Sequence, residues 1–161
     1  MPLEPYAYAL RIRLHDTDAA GVLFYGHLFR HAHDAYEAFM EHLGFPLKDL
    51  IGTGASALPL PITQAQARYE RPLRLGDRVR VELRVAAVRR RSFALDYRFL
   101  DEQGQACARA RTVHCLATQD GAGLPAGLHQ ALAERVANAG LTAMEGTSAT
   151  PGDESLPWER L

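Results

Sequence analysis

Residues 14–21, LHDTDAAG, combine two carboxylates with a short flexible turn, and an amphipathic segment follows them. The N-terminus of a helix carries unsatisfied N–H groups and about half a positive charge. Such a terminus can polarise a carbonyl group while a neighbouring carboxylate attacks the carbonyl carbon. The segment therefore predicts a hydrolytic site that acts on an activated acyl group.

A long helix over residues 27–43 is predicted to supply this terminus, because its apolar side chains recur on one helical face. Gly44 follows at the position where a left-handed backbone ends a helix. Ser, Thr and Asp are absent from the start, so Gly26 is the nearest residue suited to the N-cap. The apolar face consists of Leu28, Ala32, Ala35, Tyr36, Phe39 and Leu43.

Five strands are predicted from alternating apolar and polar residues. They cover residues 6–14, 58–69, 78–88, 93–99 and 105–118. Prolines at positions 59 and 61 indicate an edge or an irregular start for the second strand. One strand, a long helix and then four strands imply an α+β fold in which an antiparallel sheet wraps around one helix. This domain is predicted over residues 1–139, and a mobile tail rich in Gly, Ser, Thr and Pro over residues 140–161.

Composition narrows the class of protein. The 161 residues are 47% hydrophobic and 23% charged, as in a soluble globular domain. A formal net charge of −1 argues against nucleic-acid binding, and neither a membrane-spanning run nor a secretory signal is expected. Cys107 and Cys115 fall in one predicted strand, roughly 26 Å apart at about 3.3 Å per residue, too far for a disulfide. Reduced thiols and a cytoplasmic location are expected.

Two motifs carry a resemblance to a known family. HDTDAAGVLFYGHLF at residues 15–29 and RPLRLGDRVRVELRV at residues 71–85 resemble the hot-dog-fold acyl-CoA thioesterases of the 4-hydroxybenzoyl-CoA type. The likeness runs from about residue 6 to about residue 118. HDAYEAF at residues 33–39 and ALPL at residues 57–60 resemble the subgroup that hydrolyses 1,4-dihydroxy-2-naphthoyl-CoA.

The resemblance implies roles for individual residues. Asp18 would be the catalytic carboxylate, and the backbone N–H of Tyr25 would hold the thioester oxygen at a helix N-terminus that includes Gly26. The family pattern also implies a homodimer whose two sheets join edge to edge, often within a homotetramer. Coenzyme A would lie along a subunit boundary with its phosphates near basic side chains.

The helix N-terminus also bears on how Asp18 would act. Its field stabilises the charged carboxylate, which suits a nucleophile that forms an acyl anhydride. The same stabilisation makes Asp18 a weak general base, so direct attack by Asp18 is favoured over activation of a water molecule. Both roles stay open. Asp16 is interpreted as structural, accepting hydrogen bonds from backbone N–H groups, and Gly21 as supplying a backbone shape closed to other residues.

Three histidines and three arginines complete the candidate residues. His27 and His31 have metal-ligand spacing, but Leu28 replaces the glutamate of an H-E-x-x-H site, so no metal is expected. His33 is a candidate substrate contact through the resemblance, although it lies on the polar helix face. Arg89, Arg90 and Arg91 form a basic cluster in a turn, either a solvated hairpin tip or a clamp for the phosphates of coenzyme A.

The sequence therefore predicts an acyl-CoA thioesterase that needs no metal or redox cofactor, and the resemblance implies that the acyl group is aromatic. Two alternatives stay open. A hot-dog hydratase or dehydratase would use a histidine, with His27 the nearest candidate, and would change acyl unsaturation rather than release free thiol. A non-catalytic acyl-CoA-binding protein would keep ligand binding without Asp18.

Overall fold

A computed structural model describes residues 3–54 and 57–136. Five antiparallel strands form one sheet in the order β1-β3-β4-β5-β2. The strands are β1 (Tyr6–Arg11), β2 (Ile62–Tyr69), β3 (Arg78–Val88), β4 (Ser92–Leu100) and β5 (Ala106–Cys115). The helices in these ranges are α1 (His27–His42), α2 (Leu47–Leu50) and α3 (Ala126–Ala133), and a 3₁₀ turn covers Leu14–Asp16. The predicted order of a strand, a long helix and four strands is confirmed.

Helix α1 packs on one face of the sheet. Its predicted apolar face is confirmed, since Leu28 and Ala35 are fully buried, and only Leu43 at its end stays half-exposed. Small residues on that face let the helix approach the sheet closely. Gly44, with φ of +87°, follows the helix, and the Phe45 N–H bonds to the Met40 carbonyl at 2.9 Å, which ends it as predicted.

The sheet contributes the other half of the core through the alternation of its central strands. Buried side chains alternate with more exposed ones along β3 and along β4 as far as Phe99, as the period of a strand requires. Burial of a Leu, Val or Phe of this kind contributes about 1.5–3 kcal/mol. The buried members are Val79, Val81, Leu83 and Val85 in β3, with Phe93, Leu95, Tyr97, Phe99 and Leu100 in β4.

Strands β1 and β2 are each shorter at one end than their sequence patterns predict. Strand β1 ends at Arg11 instead of residue 14, because the chain enters the 3₁₀ turn that carries Asp16 inward and leaves Leu14 72% exposed. Strand β2 begins at Ile62 instead of residue 58. The Pro61 carbonyl accepts the N–H of Cys115, the last residue of β5, and the Pro59 carbonyl accepts that of Ala117, but neither proline has an N–H to donate to a ladder.

Strand pairing is irregular at three points of the sheet. The register shifts between Ile62 and Gln64, between Val85 and Ala87, and between Phe99 and Leu100. An extra residue on one strand bends that strand and increases its right-handed twist. The shifts therefore curl the sheet around the helix.

The remaining predictions concern the thiols and the C-terminal segment. Cys107 and Cys115 are free and lie in β5, which ends at Cys115 rather than residue 118. Helix α3 follows Pro125, and it buries Leu128 and Leu132. The predicted tail over residues 140–161 and the domain end at residue 139 lie outside the described residues. No helix within the described ranges is long and apolar enough to cross a membrane.

Gly21 provides a test of the turn before α1. Its φ is +77°, so a Gly21→Ala chain carries left-handed strain of about 1–2 kcal/mol, even though the site has room for a methyl group. Urea unfolding should show that loss of stability. Gly54→Ala, where the space is equally open and φ is not in the left-handed region, should stay within about 0.5 kcal/mol of wild type. Equal effects of the two substitutions would contradict the assigned turn.

Candidate active site

A tight turn over residues 18–21 presents Asp18 in front of α1. The Gly21 N–H donates to the Asp18 carbonyl at 2.9 Å, and the Asp18 N–H donates to the Val22 carbonyl at 3.0 Å. Leu23 then donates its N–H to the Leu73 carbonyl at 2.7 Å. These bonds fasten the turn to the loop before β3, so the backbone that carries Asp18 is fixed.

The carboxylate of Asp18 has one oxygen engaged and one available. Oδ1 accepts the Ala20 N–H at 2.8 Å, which orients the side chain, and the residue is exposed. Oδ2 accepts no hydrogen bond from any residue that the structure describes. A carboxylate held in this way can present Oδ2 to an electrophile or to a water molecule.

Helix α1 begins with unoccupied amide groups beside this turn. Gly26 is the N-cap, and no side chain caps it. Among the described residues, the N–H groups of Tyr25 and Gly26 have no hydrogen-bond acceptor, whereas the His27 N–H donates to the Phe24 carbonyl at 2.9 Å. Free N–H groups at the positive end of a helix are suited to bind a negatively charged oxygen.

Tyr69, at the end of β2, fixes the peptide between Tyr25 and Gly26. Its hydroxyl donates to the Tyr25 carbonyl. Because a trans peptide is planar, holding this carbonyl also sets the direction of the Gly26 N–H, which points to the opposite side. Sequence reasoning missed Tyr69, since the contact joins residues 44 positions apart and no local motif marks it.

Asp18 and Tyr25 line the same cleft, which has a volume of about 390 Å³. The structure thus brings together the two residues that the sequence singled out for catalysis, with Gly26 directly behind Tyr25. The cleft has mainly apolar walls and two tyrosine rings. Its other lining residues are Val22, Leu23, Tyr69, Glu70, Arg71, Pro72, Leu73 and Ala108.

Asp16, two residues before Asp18, is fully buried. Its Oδ2 accepts the Arg13 N–H at 2.7 Å, and its Oδ1 accepts a hydrogen bond from the Arg30 guanidinium. His31 Nε2 lies 3.1 Å from Oδ1 without the alignment of a hydrogen bond. The interpretation of Asp16 as structural, with a backbone N–H as donor, matches these contacts. The contacts with Arg30 and His31 were not predicted.

The backbone of Asp16 extends the same network. Its carbonyl accepts the Phe24 N–H at 2.9 Å and the Nδ1–H of His27 at 3.1 Å. Asp16 therefore links the end of β1, the residue before the free amides and the first turns of α1. The spacing between Asp18 and the free amides depends on this one residue.

Opposing effects act on the ionisation of this buried pair. Burial alone would raise the pKa of Asp16, but the Arg13 N–H, His31 and Arg30 together lower it below 3.8. Burial lowers the pKa of His31 below 6.5, against the attraction of Asp16. The charged form of Asp16 is thus favoured in the folded protein.

The other candidate residues lie away from the cleft. His33 is exposed on α1, roughly 12 Å along the helix axis from Tyr25 at 1.5 Å per residue. Its ring makes an edge contact with Tyr36, with centroids 5.4 Å apart. His27 and His31 both contact Asp16, which accounts for their spacing.

The three clustered arginines have different surroundings. Arg91 donates to the carbonyls of Leu116, Thr118 and Ala122, and Arg90 donates to the Gly121 carbonyl at 2.9 Å. These two residues brace the segment after β5. Arg89 is exposed and lines a separate cleft, and its side chain makes no hydrogen bond with the described part of the chain.

A five-stranded antiparallel sheet around one long helix, with a carboxylate at the helix N-terminus, defines the hot-dog class of protein. Solved structures support this class. A 1,4-dihydroxy-2-naphthoyl-CoA thioesterase from Synechocystis superposes with a TM-score of 0.73 at 28% identity, covering 80% of this chain and 96% of that one. A gentisyl-coenzyme A thioesterase gives 0.71 at 27% identity, covering 80% and 99%.

The profile of the thioesterase-like superfamily matches residues 12–136, and the chain belongs to that superfamily. Curated relatives agree. A 1,4-dihydroxy-2-naphthoyl-CoA hydrolase from Synechococcus elongatus is 41% identical over 118 residues, 73% of this chain and 85% of that protein. One from Thermosynechococcus vestitus is 39% identical over 110 residues, 68% and 74%. The predicted family, hot-dog fold and class of thioester hydrolase are confirmed.

The role of Asp16 can be measured with Asp16→Asn. This change weakens the bonds to Arg13 and Arg30 inside the fold, so unfolding in urea at neutral pH should cost about 2 kcal/mol less than for wild type. Asp34→Asn on α1, where the carboxylate is 47% exposed, should change stability by less than about 0.5 kcal/mol.

The pH dependence of stability provides a second test of the role of Asp16. Because the folded protein lowers the pKa of Asp16, its contribution is present above 3.8 and is lost as the pH falls through the folded value. The stability difference between wild type and Asp16→Asn should therefore shrink below about pH 3.8. A difference that grows on acidification would show that Asp16 is not a stabilising anion.

Proposed function

We propose that this protein hydrolyses an aromatic acyl-CoA thioester to the free acid and coenzyme A, with Asp18 as the catalytic carboxylate. One observation carries the proposal: Asp18, with its free Oδ2, and Tyr25, with its unoccupied amide at the start of α1, line one cleft. Relatives named for 1,4-dihydroxy-2-naphthoyl-CoA and gentisyl-CoA support an aromatic acyl group.

In the first step, Asp18 Oδ2 attacks the thioester carbonyl carbon. A carbon–oxygen bond forms as the carbon–sulfur bond breaks, giving a mixed anhydride and the coenzyme A thiolate, which takes up a proton from water. The N–H groups of Tyr25 and Gly26 stabilise the negative oxygen that develops on the carbonyl. Tyr69 acts through the peptide it holds, as a positioning residue.

In the second step, water adds to the anhydride, and its cleavage releases the acid and regenerates the Asp18 carboxylate. The alternative is that Asp18 accepts a proton from a water molecule that attacks the thioester directly. Both routes use the same oxygen and the same amides. Neither route requires a metal or a redox cofactor, and we propose none.

The walls of the cleft support an acyl group with an apolar body. Leu23, Leu73 and Ala108 are buried behind the cleft, while the rings of Tyr25 and Tyr69 remain 66% and 46% exposed at its rim. Exposed tyrosine rings beside an apolar wall can stack on an aromatic substrate. His33, Arg89, Arg90 and Arg91, predicted as substrate-binding residues, do not line this cleft. Of the three arginines, Arg89 has a guanidinium available for a phosphate, in a separate cleft.

We also propose that the active unit is a homodimer or homotetramer. Strand β2 has eight residues, lies at one end of the strand order and pairs only with β5 in the described ranges. An open edge of this length can pair with the same strand of a second copy. Free Cys107 and Cys115 support a reducing, cytoplasmic location.

Assembly is checked by size-exclusion chromatography with light scattering. We expect a mass of two or four chains at micromolar concentration. A strictly monomeric, active enzyme would show that the edge of β2 is not used for assembly.

The catalytic proposal is tested by Asp18→Asn on a panel of aryl- and alkyl-CoA esters, with release of free thiol as the measurement. Removing the nucleophile should lower kcat by several orders of magnitude, while the cleft still binds substrate. Release of thiol also separates hydrolysis from a hydratase, which would instead alter acyl unsaturation.

Asp120→Asn is the matched control, because its Oδ1 also accepts the N–H of the residue two positions later, at 3.0 Å, but outside the cleft. It should retain full activity. Similar turnover by Asp18→Asn and Asp120→Asn would remove Asp18 from the mechanism.

A further inference from the structure

One wall residue of the cleft that contains Asp18 and Tyr25 is much smaller than its apolar neighbours. This residue is Ala108, and it is buried. A smaller side chain fills less of the space in front of the backbone, so the wall recedes at this position. The larger apolar residues of the same wall are Val22, Leu23, Pro72 and Leu73.

Strand pairing places Ala108 between two aromatic residues on the same face of the sheet. It lies directly opposite Tyr69 of β2 and Phe99 of β4. Neighbouring strands are about 4.8 Å apart, so the backbones of Tyr69 and Phe99 lie roughly 9.6 Å apart with the alanine between them. Phe99 is buried, whereas Tyr69 is exposed at the rim of the cleft. The methyl group of Ala108 therefore forms the floor of a recess beside the Tyr69 side chain, which we call the Ala108 notch.

The Ala108 notch has a fixed position relative to the groups that would bind the thioester, because Tyr69 contacts both. The Tyr69 hydroxyl donates to the Tyr25 carbonyl at the start of α1, and the Tyr69 backbone is paired with Ala108. The length of one tyrosine side chain thus separates the notch from the helix N-terminus. An acyl body that extends from the helix N-terminus along the Tyr69 side chain reaches the notch with its far end.

The floor of the notch belongs to a strand that is held on both sides. Strand β5 lies between β4 and β2 and is paired with both. Next to Ala108, the Cys107 carbonyl accepts the N–H groups of Glu70 and Arg71 at 2.8 and 3.0 Å. Because this backbone is fixed, additional methyl groups at position 108 would project into the cleft instead of being absorbed by a shift of the strand.

We propose that Ala108 determines how large an acyl group the cleft accepts. The proposal rests on the proposed function, since it requires the thioester carbonyl to lie at Asp18 and the Tyr25 N–H. A second fused ring extends further from that carbonyl than a single ring does, and it fills the Ala108 notch. Filling the notch removes apolar surface from water, which favours binding. A side chain larger than alanine would exclude the second ring and leave a single ring unaffected.

The test compares kcat/KM for 2-naphthoyl-CoA and for benzoyl-CoA in wild type and in Ala108→Val. The added methyl groups meet the far ring of the naphthoyl group and displace its carbonyl from Asp18. The ratio of kcat/KM for naphthoyl to that for benzoyl should therefore fall at least about tenfold, which is the range that one or two methyl groups produce in an apolar pocket.

Ala110→Val is the matched control. Ala110 is the next residue of β5 that faces the core, it is buried, and it does not line the cleft. The substitution adds the same volume to the same strand, so it carries a similar packing cost. Its naphthoyl-to-benzoyl ratio should equal that of wild type. If Ala110→Val and Ala108→Val give the same ratio, the proposal is overturned.

Ala108→Gly tests the opposite change and covers the case in which Ala108→Val does not fold, which circular dichroism would show. Removing the methyl group deepens the notch, so the ratio of kcat/KM for 2-anthroyl-CoA, with three fused rings, to that for 2-naphthoyl-CoA should rise several-fold. An unchanged ratio in Ala108→Gly would overturn the proposal even if the valine variant is unfolded.

Binding of the free acids separates this proposal from the proposed function. Calorimetric titration with 2-naphthoate and with benzoate needs no turnover, and Ala108→Val should lose affinity for naphthoate but not for benzoate. If wild type hydrolyses none of the thioesters, the proposed function fails, and the binding preference alone decides the role of Ala108. Equal loss of affinity for both acids would show that Ala108 does not sense the size of the ligand.

Discussion

The buried carboxylate of Asp16 holds together the parts of the chain from which the candidate site is made. A buried charge is tolerated only when its hydrogen bonds are satisfied, and Asp16 meets this condition with the Arg13 N–H and the Arg30 guanidinium. Those donors come from the end of β1 and from α1. The constraint therefore fixes where the helix begins relative to the turn, and with it the place of the free amides.

The two aspartates, which are separated by one residue, have different roles in the candidate site. Asp16 faces the interior and accepts a hydrogen bond at each carboxylate oxygen, while Asp18 faces solvent and keeps one oxygen without a donor. The 3₁₀ turn makes this possible, because it ends the regular strand before the two side chains would share a face. Stability and reactivity are thus assigned to neighbouring residues with the same functional group.

The sequence was informative where a local pattern determines the structure. The helical face, the alternation in β3 and the left-handed Gly21 and Gly44 follow from short-range rules, and Asp18 and Tyr25 share a cleft as the motif implies. The contacts that hold the site together are non-local. Tyr69 reaches Tyr25, and Arg30 reaches Asp16, only because the sheet and helix pack, so no spacing along the chain could reveal them.

The three register shifts have a consequence for anyone who would redesign this scaffold. Each places an additional residue on one strand, and together they give the sheet its curvature. A sequence with idealised, evenly paired strands would favour a flatter surface, which would contact α1 over a shorter length. Deleting these irregularities would therefore weaken the packing of α1 on the sheet, although every strand would be paired more regularly.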